Sequence, residues 1–113
     1  MSIKSLAERI GMDYDSVIED FCGDVSALKD SLKAFHEAED INNLKKAVEN
    51  MDIEGIRKAS HKIRKGAEKL GLGELRTAAA RLEEVNAEKI PADAEHLEKL
   101  HAEILKAIEE ENL

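Results

Sequence analysis

A histidine surrounded by basic residues is the feature of this sequence whose residue types and spacing best suit chemistry. Arg57 and Lys58 lie four and three residues before His61, and Arg64 and Lys65 lie three and four residues after it. Because residues three and four apart share one helix face, a helix here would place all four cations around the imidazole. Positive surroundings favour the neutral ring, whose lone pair can attack phosphorus, and the cations can then hold the phosphoryl oxygens. The pattern predicts a phosphoryl acceptor, and the alternative is a solvated surface histidine.

This basic cluster contrasts with the acidic character of the whole chain. The 113 residues include 17 Lys and Arg against 25 Asp and Glu, for a net charge of −8. Residues 57–69 nevertheless hold six basic residues and one acidic residue, Glu68. No aromatic side chain interrupts this stretch, and the acidic remainder would repel nucleic-acid phosphates. We therefore expect no nucleic-acid partner. The alternative is that residues 57–69 contact a nucleic acid.

The other potentially reactive residues predict no second site. His101 lies among apolar residues at helical spacing, which predicts a partly buried core histidine, whereas His36 and His96 have the mixed neighbours of surface residues. No two histidines are three or four residues apart, so we expect no metal site. Cys22 is the single cysteine and has no basic neighbour to activate it. With no glycine-rich phosphate-binding loop and no Ser/His/Asp set, we expect a phosphocarrier rather than an enzyme.

The composition predicts one all-α domain over residues 1–113. Only 3% of the residues are aromatic, so the core must consist of Leu, Ile, Val and Ala. The abundance of Ala, Glu, Lys and Leu favours helices, and no segment alternates as a strand would. We find no run of 18 apolar residues for a membrane span and no export leader, and one cysteine suits a reducing compartment. We expect a cytoplasmic protein without a membrane partner.

Capping residues predict two short helices within residues 1–23. Ser2 and Asp13 can each cap a helix start, and Gly11 and Gly23 can end those helices. A four-helix bundle is then predicted over residues 24–113.

The four bundle helices follow from apolar residues spaced by three and four. Asp24 opens the first helix, whose apolar positions run to Met51 with a kink or a change of face near residues 39–40. The second helix carries a seam, meaning a stripe of inward-facing residues, that includes Ser60. Gly71 marks the turn from this helix into a return helix. Pro91 suits the first turn of the last helix. Long helices with short connections predict an antiparallel bundle, and its polar outer faces predict a monomer.

Glu83 is the residue expected to lie beside His61. If the chain reverses near residue 72, both residues lie about 15 Å from the turn at 1.5 Å per residue. A carboxylate there would accept the Nδ1–H of the imidazole, fix its tautomer and leave Nε2 as the nucleophile. The alternative is that Glu83 is one more exposed glutamate, like its neighbour Glu84.

The segment from Ser60 to Gly71, S-H-K-I-R-K-G-A-E-K-L-G, resembles the signature of histidine-containing phosphotransfer (HPt) domains. That signature is roughly Ala-His-x-Leu/Ile-Lys-Gly-x-Ser/Ala-x-x-Leu-Gly, and Arg64 stands where it has lysine. The Leu82–Glu83 pair falls where the family usually has Leu-Glu. The positions that match in register are His61, Ile63, Ala67, Leu70, Gly71 and, farther on, Leu75.

The resemblance implies a phosphorelay carrier of two-component signalling. His61 would accept a phosphoryl group from the aspartyl phosphate of a receiver domain and pass it to another receiver aspartate. Arg64 and Lys65 would hold the group, and Glu83 would orient the ring. The partners would be response-regulator receivers or a hybrid sensor histidine kinase, docking on an apolar patch of the N-terminal helices and the first bundle helix. Mg²⁺ would come from the receiver, so the chain would need no cofactor.

One departure from the signature bears on activity. The glycine that usually follows the histidine by four residues is Lys65 here, and Gly66 stands one place later. The lysine is open to three interpretations: a narrower range of partners, an added phosphate contact, or loss of transfer. The last defines the alternative function, an HPt-like interaction module that binds receiver or kinase domains without passing phosphate.

Overall fold

The structure is a computed structural model that describes residues 3–111, and helices form most of that span. The predicted all-α class is confirmed. Ser2, proposed as the first helix cap, lies outside the described residues. None of the helices between residues 3 and 111 combines the length and the apolar character needed to cross a membrane. The helices are α1 (Ile3–Ile10), α2 (Tyr14–Asp20), α3 (Val25–Glu37), α4 (Asp40–Glu49), α5 (Ile53–Lys69), α6 (Gly73–Glu83) and α7 (Ile90–Glu111).

The two predicted N-terminal helices are α1 and α2, which lie before the bundle. Asp13 caps α2, since its carboxylate accepts the backbone N–H of Ser16 at 3.4 Å. Between the two helices, Met12 forms an isolated antiparallel bridge with Leu72. Val17 of α2 also packs at the turn between α5 and α6. These contacts place the N-terminal segment at the end of the bundle where α5 turns into α6.

The first bundle helix is broken where a kink or shifted face was predicted. Asp24 caps α3 as predicted, but α3 ends at Glu37, and Ala38 is extended with φ −64° and ψ 140° before α4 begins. Met51 was predicted inside this helix, and that prediction is wrong. Its backbone takes the left-handed φ of +50°, which ends the helix, and its side chain is 55% exposed.

The predicted antiparallel four-helix bundle is confirmed, with α3 and α4 together forming its first member. α5 packs against both α4 and α6, α6 packs against α7, and α7 returns to α3 and α4. Small residues on α6, Ala78 and Ala79, are buried and let its neighbours approach closely. Gly71 makes the α5–α6 turn with φ +65°, and a Cβ there would come 2.6 Å from Val17. This turn sets α5 and α6 side by side.

His101 is buried in the bundle, as its apolar neighbours predict. It is 4% exposed, and its ring centroid lies 5.1 Å from that of Phe35. Burial lowers the pKa of His101 to about 4, and the charge of Lys45 acts in the same direction. The ring is therefore neutral and enclosed at neutral pH.

Candidate functional site

Helix α5 presents His61 to solvent from the flank of its buried seam. The helix starts where the Asp52 carboxylate accepts the Gly55 backbone N–H at 3.1 Å. Ser60 and Ile63 are buried on the inward face, so the residue after Ser60 lies at the edge of that face. The His61 side chain is 49% exposed. An incoming group can therefore reach the imidazole without any rearrangement of the core.

Glu83 lies beside His61, where its distance from the turn predicted it. Its Oε1 is 2.6 Å from the imidazole Nδ1, and its side chain is only 19% exposed. Leu82, the residue before it, is buried on the inward face of α6, which sets Glu83 at the rim facing α5. The structure thus brings together one residue from each arm of the α5–α6 hairpin.

The ionisation of Glu83 decides the tautomer of His61. Hydrogen bonding from Arg64 is the largest cause of a lowered pKa at Glu83, and the hydrogen bond from His61 adds to it. The group is therefore a carboxylate at neutral pH, and a carboxylate can only accept hydrogen bonds. Nδ1 must carry the proton that bridges the 2.6 Å contact. In the neutral ring, the lone pair is then on Nε2, the ring nitrogen that does not contact Glu83.

Arg64, predicted to hold a phosphoryl group, is bound to two carboxylates. Its Nε donates to Glu83, and its Nη1 donates to Glu68 at 2.6 Å. The hydrogen bond with Glu83, followed by the one with Glu68, raises the pKa of the guanidinium. Its Nη2 also lies 3.1 Å from Nδ1 of His61. Both atoms carry hydrogen in the assigned tautomer, so this proximity reflects their shared binding to Glu83.

Two further cations near His61, Lys65 and Arg57, have carboxylates within ion-pair distance. Lys65 is exposed, and its Nζ is 4.0 Å from Glu68 Oε2. Arg57 donates to Glu54 at 3.0 Å. The sequence reasoning missed Glu54 and Glu68 as partners, although their spacing of three and four residues from the cations was a readable signal.

Three hollows adjoin the segment of α5 that carries His61, and one of them lies between α4 and α5. A recess of about 280 Å³ opens beside the imidazole. A more apolar groove of about 370 Å³ lies between α3 and α5. The recess is lined by Glu54, Arg57, Lys58, His61, Lys62 and Glu83. The groove is lined chiefly by Ala34, Phe35, Ile63, Gly66 and Leu70, with Lys62 and Lys69 at its edge and His101 at one wall.

The groove is the apolar surface that lies near His61. Its lining comes from α3, the start of α4, α5 and α7, and within residues 3–111 neither α1 nor α2 contributes to it. Of the N-terminal helices, expected in the docking patch, α1 packs against α7, and Val17 of α2 lies at the α5–α6 turn. Over the same described span, no group of three His, Cys, Asp or Glu side chains is placed to hold a metal ion.

Comparison with known families matches the chain to one of them over most of its length. The model of the Hpt domain matches residues 16–111, a span that includes α5, α6 and the His61–Glu83 pair. No curated protein and no solved structure gives a significant match. The matched span covers well over half of the 113 residues. The chain therefore belongs to the Hpt domain family, the phosphocarrier modules of two-component phosphorelays.

Proposed function

We propose that this chain is a phosphorelay carrier that receives a phosphoryl group on His61 from a receiver-domain aspartyl phosphate and passes it to an aspartate of another receiver. The observation that carries the proposal is the 2.6 Å contact between Nδ1 of His61 and the Glu83 carboxylate, on a side chain that is half exposed. This contact holds the imidazole through Nδ1 and leaves Nε2 as the ring nitrogen that does not contact Glu83.

The transfer step uses the Nε2 lone pair of His61. That pair attacks phosphorus in line with the leaving oxygen, so the Nε2–P bond forms as the P–O bond to the receiver aspartate breaks. The electrons of the broken bond remain on the aspartate carboxylate. Nδ1 keeps its proton, and the positive charge that develops on the ring faces the Glu83 carboxylate. Attack by a second aspartate on phosphorus reverses these changes and returns the lone pair to Nε2.

The protein's contribution is orientation and charge rather than a cofactor. Hydrogen bonds from a fixed carboxylate hold the ring in one tautomer and one direction, which lowers the entropy cost of reaching an in-line geometry. Arg64 keeps Glu83 ionised and in place. We expect Mg²⁺ to be supplied by the receiver, as the resemblance implies.

We expect the receiver to dock over the apolar groove between α3 and α5. Phe35 and Ile63 give the groove an apolar floor, and Lys62 connects its edge to the recess beside His61. A partner seated there would bring its active site to the exposed imidazole. We propose receiver domains, or a kinase that carries one, as partners of a cytoplasmic monomer.

Incubation with a phosphorylated receiver domain tests the proposal. We expect acid-labile phosphate to move to the wild-type chain and not to His61→Gln, while His96→Gln, which changes an exposed histidine on α7, is labelled like the wild type. Label on His61→Gln would contradict the assignment of the acceptor.

The interaction-module alternative predicts a different outcome from the same experiment. Lys65 projects from the same exposed face of α5 as His61, one turn farther along, where the family usually has glycine. If the lysine blocks transfer, the wild type binds the receiver without taking label. Lys65→Gly would then acquire label, whereas a carrier is labelled with either residue.

A further inference from the structure

The cations around His61 divide into two groups on opposite flanks of the residue. At 100° per residue around the helix, Lys58, Lys62 and Lys65 lie roughly 60°, 100° and 40° to one side of His61, while Arg57 and Arg64 lie roughly 40° and 60° to the other. Lys65 has Glu68 within 4.0 Å, which leaves Lys58 and Lys62 as the lysines of this flank without a carboxylate partner in the described part of the chain. The arginine flank faces Glu83 on α6. The flank of Lys58 and Lys62 faces α4, because both side chains line the hollow between α4 and α5.

The two arginines already have anionic partners. Arg57 is bound to Glu54, and Arg64 is bound to both Glu68 and Glu83. Arg64 keeps N–H donors that no carboxylate of the described span uses, but two carboxylates already balance its charge. A phosphoryl group would therefore gain less from Arg64 than from a cation with no anionic partner.

Lys58 and Lys62 have no such anionic partners. Among residues 3–111, neither Lys58 nor Lys62 has a carboxylate within ion-pair distance, and both are exposed. They are four residues apart, so their like charges repel across one helical turn. Both also line the recess that contains the imidazole of His61. An anion in that recess would meet two available ammonium groups and relieve their repulsion.

We propose that Lys58 and Lys62 bind the oxygens of the phosphoryl group carried by His61, and that Arg64 is a positioning residue that holds Glu83. This inference rests on the proposed carrier function and assigns the phosphate-binding groups within it. The lysines act by donating N–H hydrogen bonds and keep their protons, so the bonds made and broken in the transfer step are unchanged.

Titration with inorganic phosphate tests the lysine site without requiring transfer. We expect the ¹⁵N-detected signals of Lys58 and Lys62 to shift in the wild-type chain, and the apparent affinity to fall about tenfold in Lys58→Gln/Lys62→Gln. The matched control is Lys29→Gln/Lys33→Gln, which removes two lysines with the same spacing from α3 and should bind phosphate like the wild type. A response that survives the first variant, or that is lost in Arg57→Gln instead, would overturn the assignment.

Phosphorylation by phosphoramidate, a small donor that needs no partner protein, separates this inference from the carrier function. We expect the wild type and the Lys29/Lys33 control to be labelled on His61, and Lys58→Gln/Lys62→Gln to be labelled about tenfold more slowly. Equal labelling rates would overturn the lysine assignment and leave the carrier function standing. No label on the wild type, from this donor or from a phosphorylated receiver, would overturn the carrier function and the lysine assignment with it.

The positioning role of Arg64 has its own spectroscopic signature. In Arg64→Gln, we expect the fraction of His61 with its proton on Nδ1 to fall, and Arg64→Lys to restore part of it by again offering a cation to Glu83. Phosphate binding by the lysines should be nearly unchanged in both variants. A loss of phosphate affinity in Arg64→Gln with an unchanged tautomer would show that Arg64 binds the phosphate directly.

Discussion

His61 and His101 occupy long helices of the same bundle and differ in almost every physical respect. His61 is half exposed and hydrogen-bonded to a carboxylate, while His101 is 4% exposed and packs against Phe35. Burial lowers the pKa of His101 to about 4, so that ring stays neutral at neutral pH but exposes little surface to a reacting group. A neutral imidazole is therefore not sufficient for phosphoryl transfer, because access to the ring and a group that fixes its tautomer are needed as well.

The comparison also shows which neighbours distinguish the two histidines. Residues three and four positions away are basic around His61 and mainly apolar around His101. The helix that faces each residue completes the difference, since α6 supplies Glu83 to the first and α3 supplies Phe35 to the second. Single substitutions can change each of these features separately.

Removing the carboxylate beside His61 should produce the largest change in transfer. We expect Glu83→Ala to slow phosphoryl transfer from a receiver by about 10- to 100-fold, because the ring loses both its fixed tautomer and the stabilisation of its developing charge. Glu83→Gln should lose less, since the amide oxygen can still accept the Nδ1–H. Single-turnover transfer of radiolabelled phosphate measures both.

The control for this prediction is the adjacent glutamate. Glu84 is exposed and is not hydrogen-bonded to His61, so Glu84→Ala removes the same charge one residue away. Its transfer rate should equal that of the wild type. Equal slowing in the two alanine variants would mean that transfer depends on negative charge near α6 and not on the contact between Glu83 and Nδ1.

The buried histidine should make folding stability depend on pH. Because its pKa is about 4 in the folded chain and 6.5 when unperturbed, the unfolded chain binds the proton first as the pH falls. Stability from this group is complete above pH 6.5 and is lost progressively toward pH 4, by about 2 kcal/mol between pH 7.5 and 5. In His101→Phe, which keeps a ring against Phe35, that part of the pH dependence should disappear.

Urea unfolding at the two pH values measures this effect. His96→Phe is the matched control because His96 is exposed on the same helix, α7, and its stability should vary with pH as the wild type does. An unchanged pH dependence in His101→Phe would contradict the account of a buried neutral ring.

The smallest expected effect concerns the residue just before His61. The hydroxyl of Ser60 is fully buried and has no hydrogen-bond partner among residues 3–111. Ser60→Ala should therefore stabilise the fold by about 1 kcal/mol without changing transfer, because it removes a desolvated polar group and improves helix propensity. The reverse change at a neighbouring buried position, Ala67→Ser, should destabilise the fold by a similar amount. Destabilisation by Ser60→Ala, measured by urea unfolding, would reveal a hydrogen bond to the hydroxyl.

Much of the site could be predicted from the sequence because it depends on helix periodicity. Spacing of three and four residues placed His61 on the flank of a buried seam, and equal distance from the turn placed Glu83 opposite it. The exposure of one histidine and the burial of the other followed from the same rule. The bundle itself required only amphipathic helices with short connections.

The partners of the cations could be predicted only in part. Glu54 and Glu68 stand three or four residues from the cations they bind, a spacing that helix periodicity encodes, whereas the contact of Arg64 with Glu83 joins two helices and depends on side-chain geometry. The break at Ala38 and the helix end before Met51 depend on individual backbone angles rather than on a repeating pattern. Sequence reasoning therefore placed His61 and Glu83 in the fold better than it assigned the partners of the cations around them.

The most direct test of the central claim is the state of the His61 ring nitrogens before and after phosphorylation. Long-range ¹H–¹⁵N and ¹H–³¹P correlations identify which nitrogen carries hydrogen and which carries phosphorus. We predict hydrogen on Nδ1 in the free chain and phosphorus on Nε2 of His61 after transfer from a receiver. Hydrogen on Nε2 in the free chain, or phosphorus on Nδ1 or on another histidine, would contradict the account.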